Sequence, residues 1–171
     1  MSIFGIDPIS AIVSGINAIN GIRLDKIEEK ALLEEVLEEL RRNLQTIKDD
    51  YLKNKVSIDK ITGELAIQKL EAAERARKRK KLDFNKIKEG PIDKTCFVSL
   101  YQYSKYKDFD TEKIFLKIRD KVKDLSKAKR LYFNRGQWSN KVNPISRMNN
   151  LVGLFILLAN HLSMGKSAQK A

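Results

Sequence analysis

The chain has 171 residues, one cysteine, one histidine, and 34 Lys and Arg against 22 Asp and Glu, for a formal net charge of +12. This length suits one domain with its own core, and a single cysteine excludes an intramolecular disulfide framework. Eight Gly and three Pro are few for the turns of an all-β protein, so the expected fold class is all-α: a single helical bundle of four to six helices over residues 1–165, opening with an apolar, amphipathic helix.

Charge is divided along the chain. Residues 1–55 hold 8 Lys and Arg against 10 Asp and Glu, and the remainder hold 26 against 12. The basic part is drawn to anionic lipid or nucleic acid, or serves solubility alone, while the front end is not so drawn.

Residues 3–22 (IFGIDPISAIVSGINAINGI) carry one charge, Asp7. Pro8 suits the first turn of a helix and Asp7 its N-cap. Ile9, Ile12, Val13, Ile16 and Ile19 then recur at helical spacing. Ala11, Gly15 and Ala18 form a small opposite side, open to close approach by another helix in a membrane or in a soluble bundle. A spanning helix needs roughly 20 apolar residues, whereas Asp7-Pro8 leaves about 15, with Ser10, Ser14, Asn17 and Asn20 among them. The segment reads as a short helix over 1–22, able to serve as core or as a membrane-seeking element. Met1-Ser2 supplies no basic region ahead of it, so no secretory signal is expected.

The pattern from Leu24 predicts a long amphipathic helix over 24–55, with Ile27, Ala31, Leu33, Val36, Leu40, Leu44, Ile47 and Tyr51 on one side. Glu34, Glu35, Glu38 and Glu39 fall mostly outside that stripe, and Glu38 pairs favourably with Arg42 four residues on. Ser57 caps a second helix over 57–81 carrying Ile58, Ile61, Leu65, Leu70, Ala73 and Ala76, with Gly63 inside it. It ends in Arg75, Arg77, Lys78, Arg79, Lys80 and Lys81, the candidate contact for anionic lipid or phosphate. These charges point all round the helix, so no single phosphate row uses them all.

Gly90-Pro91 marks a break, and the spacing of Phe97, Leu100, Tyr101 and Ser104 predicts a short helix over 92–104. Asp110 caps a helix over 111–133 with the stripe Phe115, Ile118, Val122, Leu125, Ala128 and Tyr132. Residues 134–143 (NRGQWSNKVN) are a loop by composition. The last helix spans 146–164, and Leu151 to Ala159 (LVGLFILLA) is apolar almost all round, which marks a helix buried on most faces. Residues 166–171 form a frayed tail.

Catalytic chemistry finds no motif. A zinc site around His161 has only Cys96 and carboxylates to draw on, and no glycine-rich phosphate loop, GxSxG elbow or HExxH occurs. Cys96 and His161 lie in apolar segments without a cysteine-protease signature. His161 falls in the last turn of its helix, where the dipole favours a protonated imidazole. No enzyme activity, metal or cofactor is expected.

A near-uncharged helix and clusters of Lys and Arg together supply the two signals that stable membrane attachment requires. Ile3, Phe4, Ile9, Ile12, Val13, Ile16 and Ile19 are then the membrane-inserting residues. The opening FGIDPISAIVSGINAI, and the order of KAKRLYF over 127–133, a polar interval and an apolar helix from Leu151 to Leu162, resemble the HeLo and HeLo-like cell-death domains and, more distantly, the four-helix bundle of mixed-lineage-kinase-like executioners. The resemblance implies an all-helical bundle whose N-terminal segment is released to permeabilise a membrane on oligomerisation. It implies a toxin of programmed cell death or antiviral defence, cytoplasmic and peripheral to or inserting into the membrane. Anionic membrane lipids, further copies of the chain and an activating protein are its implied partners. Two departures stand out: Trp138 falls in the loop, where the family more often has a tryptophan near the position of Tyr132, and Pro144 delays the last helix.

Two alternatives stand beside this reading. In a nucleic-acid-binding module, Arg75 to Lys81 would neutralise phosphates, while Lys127, Lys129, Arg130, Arg135 and Lys141 interleave with Tyr132, Phe133 and Trp138 to contact backbone and stack on bases. In a non-catalytic scaffold or inhibitory partner protein, the N-terminal helix docks into another subunit.

Overall fold

The computed structural model describes residues 7–24, 29–98 and 100–164. Ile3, Phe4, Ile27 and the expected tail over 166–171 lie outside them. The chain is an all-α, bundle-like protein with helices α1 (Pro8–Asn20), α2 (Lys30–Thr46), α3 (Ile58–Glu64), α4 (Gln68–Lys78), α5 (Thr111–Tyr132) and α6 (Pro144–Ser163). Three of the starts carry side-chain caps: the Asp7 carboxylate accepts from the amides of Ile9 and Ser10, Asp110 from Lys113, and the Asn143 side chain from Ser146, whereas the expected cap Ser57 makes no such bond at the start of α3.

The apolar run of α6 makes it the centre of the bundle. Every residue from Leu151 to Ala159 is buried, with α1 and α5 packed against it. α4 lies antiparallel to α5, joined by ion pairs Glu71–Lys123, Glu74–Arg119 and Arg77–Glu112. Beneath them Phe84 meets Phe115 edge to face, with ring centroids 5.5 Å apart.

The helix expected over 24–55 begins only at Lys30, and Ile22 to Leu24 lie outside any helix although Leu24 is buried. Its last turns, Ile47–Lys53, widen into a π-helix in which the Asn54 amide reaches back to the Asp49 carbonyl at 3.0 Å. The left-handed backbone of Lys55 (φ 55°) then ends it.

The helix expected over 57–81 is two helices, because two buried polar residues of α2 hold the chain open between them. Asn43 donates through Nδ2 to the Ala66 carbonyl at 2.7 Å and accepts from the Ala66 amide at 2.9 Å. Both oxygens of Glu39 accept from the first turn of α4, from the amides of Lys69 and Leu70 at 2.9 Å. A side chain from another helix thus does the work of an N-cap, satisfying donors that a helix start leaves unpaired.

The segment expected as one helix over 92–104 is two 3-10 turns, Lys94–Phe97 and Tyr101–Tyr106. Phe97, Leu100, Tyr103 and Tyr106 are all buried at a spacing of three, which fits the 3-10 period, while Tyr101 is 81% exposed. The segment expected as a loop over 134–143 contains a hairpin of strands β1 (Phe133–Asn134) and β2 (Gln137–Trp138), in register Phe133↔Trp138. Its two turn residues, Arg135 and Gly136, both have positive φ (49° and 79°), the turn that matches strand twist.

Candidate functional site

Helix α1 has no ionisable side chain between Pro8 and Asn20, so its contact with the bundle is apolar, and charge meets it only at its ends, in the Asp7 carboxylate at the first amides and the Arg23 guanidinium at the Asn20 carbonyl. Pro8, Ile12, Gly15, Ala18 and Ile19 are buried, with Ile9 and Ile16 half-buried at the flank. The buried face therefore includes Gly15 and Ala18 of the small side assigned opposite to it, and Val13 of the expected stripe is 38% exposed. The rotation has a steric cause. A Cβ at Gly15 would lie 2.5 Å from the Ala159 Cβ, so the backbone of α1 approaches α6 as only glycine permits. Beside it the Ser14 and Ser163 hydroxyls are 3.1 Å apart.

At the start of α1, Asp7 is held below its ordinary carboxylate value, chiefly by the Ser10 hydroxyl. Asp7, Pro8 and Ile9 border an open cleft of about 370 Å³ with Tyr51, Leu52, Lys55, Val56, Ile145 and Asn149. Among the residues assigned to membrane insertion, Ile12 and Ile19 are in the core, Ile9 and Ile16 flank it, and Val13 faces solvent. They do not share one free face.

The basic run is likewise divided. Arg77 donates to Glu112 at 2.9 Å and is half-buried, its Nε enclosed without an acceptor. Lys78 pairs with Glu74 at 3.3 Å. Arg75, Arg79, Lys80 and Lys81 are exposed and make no ion pair among the described residues. α4 stops inside the run because Lys80 turns left-handed (φ 56°), letting the Lys80 amide reach the Arg77 carbonyl and the Lys81 amide the Ala76 carbonyl. Lys80 and Lys81 then border a groove of about 600 Å³ with Glu29, Ala31, Leu32 and Ala76.

The hairpin after α5 brings together residues that alternate in sequence. Phe133 and Trp138 meet as tilted rings with centroids 5.2 Å apart, and the Ser139 amide closes onto the Tyr132 carbonyl at 2.7 Å. Around them Lys127, Arg130, Arg135, Lys141 and Arg147 are exposed, whereas Lys129 turns inward to donate to the Asp59 carbonyl at 2.5 Å. Leu131, in the last turn of α5, and Ile145, in the first turn of α6, are 56% and 59% exposed. The sequence holds a signal for this surface that hydrophobic periodicity does not register: no Asp or Glu follows Asp124.

His161 is a core histidine. It is 1% exposed, and burial pushes its pKa down to about 4, which overturns the expectation of a protonated imidazole at the helix end. Its Nε2 meets the Thr111 hydroxyl at 3.0 Å, and that hydroxyl donates to the Lys88 carbonyl at 2.6 Å. Cys96 lies against the Met164 sulfur at 3.3 Å, and burial pushes its thiol up, away from the reactive thiolate. Among the described residues no three His, Cys, Asp or Glu side chains converge as metal ligands do, and no helix is long and apolar enough to cross a membrane.

Comparison with protein-family models, with curated proteins and with solved structures finds no match for this chain.

Proposed function

We propose that the protein is a membrane-acting effector of the HeLo-like kind, held at rest with α1 packed on α6 and active when α1 leaves the bundle and enters an anionic membrane on self-association. The observation that carries this reading is the make-up of the α1–α6 contact. An uncharged helix lies on an apolar partner through a glycine, so its departure breaks no ion pair and exposes no buried charge. The helix transfers to lipid without the cost of carrying a charged side chain with it. Lys80, Lys81 and their exposed neighbours supply attraction to anionic headgroups before insertion.

The test is a reversible lock. Ser14→Cys with Ser163→Cys places two thiols where the hydroxyls stand 3.1 Å apart. Release of a trapped dye is followed from vesicles of phosphatidylglycerol and phosphatidylcholine. The oxidised double variant is expected to release no dye and the reduced one to recover wild-type leakage. Equal leakage in both states, or a wild type that leaves such vesicles intact even when cross-linked into oligomers, overturns the reading.

A further inference from the structure

Leu125 to Met164 contains six basic residues, Lys127, Lys129, Arg130, Arg135, Lys141 and Arg147, and no acidic one. Over much of the bundle cations pair with carboxylates, Lys69 with Glu35, Lys86 with Glu29, Lys123 with Glu71 and Arg119 with Glu74, apart from Arg75, Arg79, Lys80 and Lys81 at the end of α4. At the end where α5 passes through the hairpin into α6 that pairing stops. Arg130, Arg135, Lys141 and Arg147 are exposed and make no ion pair among the described residues.

The same end carries exposed apolar side chains. Leu131 is 56%, Tyr132 37% and Ile145 59% exposed, and Phe133 and Trp138 of the hairpin are half-buried. Side chains of this size facing water beside cations have a matching environment at the headgroup boundary of a bilayer. There Tyr and Trp rings sit at the polar level, Leu and Ile reach the acyl region, and Lys and Arg meet phosphate. We propose that the α5–hairpin–α6 end docks flat on an anionic bilayer, with Arg130, Arg135 and Lys141 on lipid phosphates and Leu131, Tyr132 and Ile145 in the interface.

A nucleic acid would engage the same cations, but aliphatic Leu131 and Ile145 offer neither a charge for phosphate nor a ring for a base. They favour lipid. The cleft bordered by Pro8 and Ile9 also contains Ile145, so the start of α1 opens onto the docking end. Docking there would present α1 to the membrane before any rearrangement. The proposal shares with the functional reading only the identity of the partner, an anionic bilayer, and does not require α1 to move.

Trp138 is the chain's one tryptophan and stands in the proposed contact, so its fluorescence reports docking directly. With vesicles of phosphatidylglycerol and phosphatidylcholine, its emission is expected to shift to the blue and to be quenched by lipids brominated near the headgroup. Pure phosphatidylcholine should leave it unchanged. Arg130→Ser, Arg135→Ser and Lys141→Ser together should weaken vesicle binding on the order of a hundredfold. Leu131→Ser with Ile145→Ser should abolish the blue shift. All five positions are exposed, so circular dichroism should stay helical.

Binding with no change at Trp138, binding unaffected by the triple variant, or quenching by single-stranded DNA in place of lipid each overturns the proposal. The oxidised Ser14→Cys, Ser163→Cys variant separates it from the functional reading. Docking with no leakage in the reduced state leaves this surface standing and removes the role of α1. Leakage with an unperturbed Trp138 does the reverse.

Discussion

The Asn43 side chain and the Ala66 main chain form a closed pair, donor to acceptor at 2.7 Å and acceptor to donor at 2.9 Å, across 23 residues of sequence. Asn43 is 2% exposed, so neither group of Ala66 has water as a ready substitute on that side. Asn43→Ala should cost about 2–3 kcal/mol, read from denaturant melts, because it leaves a donor and an acceptor unpaired. Asn43→Asp should cost at least as much, since it loses the donor and introduces a charge. A variant as stable as wild type would show that α3 and α4 part for another reason.

Gly15→Ala places a methyl group 2.5 Å from the Ala159 Cβ, so α1 has to move off α6 or α6 has to bend. A loss of roughly 1–3 kcal/mol is expected, the usual range for overpacking a core. Ala159→Gly in the same chain should restore part of it by removing the opposing methyl. On the proposed function, the single variant also leaks vesicles faster than wild type. Tighter membrane retention of dye by the single variant would contradict that link.

Lys80 occupies the left-handed position that ends α4, where glycine carries no side-chain penalty. Lys80→Gly should therefore raise stability by about 1 kcal/mol, visible as a higher thermal midpoint. A lower midpoint would mean that the Lys80 side chain makes a contact worth more than the backbone relief.

The basic run should separate into two classes. Arg77→Ser leaves the half-buried Glu112 carboxylate without its cation and should destabilise the fold by about 1–2 kcal/mol. Arg79→Ser with Lys81→Ser should leave stability within about 0.5 kcal/mol, because both side chains are exposed. Comparing the thermal midpoints of the two variants checks this, and equal losses would remove the distinction.

His161 makes stability depend on pH. Burial holds its folded pKa near 4, below the ordinary 6.5, with Lys88 acting in the same direction and Asp110 against it. The unfolded chain therefore binds a proton first as acid is added. The contribution is fully present above pH 6.5 and is lost as pH falls from there toward 4, by on the order of 3 kcal/mol. Glu38, held at about 2 chiefly by Arg41, adds its own loss at lower pH. His161→Gln should flatten the curve in the upper window alone; an unchanged slope would assign it elsewhere.

Features carried by neighbouring residues were legible in the sequence: the caps at Asp7 and Asp110, the stripe of α5, and the all-round burial of α6. Features set by distant residues were not. Near Ala66 only Gly63 weakens the helical pattern, and it does not place the break, because Asn43 and Glu39 impose it from another helix. The rotation of α1 depends on Ala159 standing opposite Gly15, and Arg77 differs from Arg79 only through Glu112, 35 residues away. The hairpin was half-visible: Gly136 suits its turn, but Arg135 has to adopt positive φ as well. For the candidate site, the uncharged character of α1 could be read directly, and its buried position could not.

The hydrogen bonds around Thr111 settle one further matter. A hydroxyl has a single proton, and that of Thr111 is given to the Lys88 carbonyl at 2.6 Å. Toward His161, 3.0 Å away, the same oxygen can only accept. The imidazole therefore carries its hydrogen on Nε2 and leaves Nδ1 bare, a tautomer dictated by a main-chain carbonyl that the ring never touches. Any proton added in acid arrives at Nδ1, and the nitrogen facing Thr111 is no base.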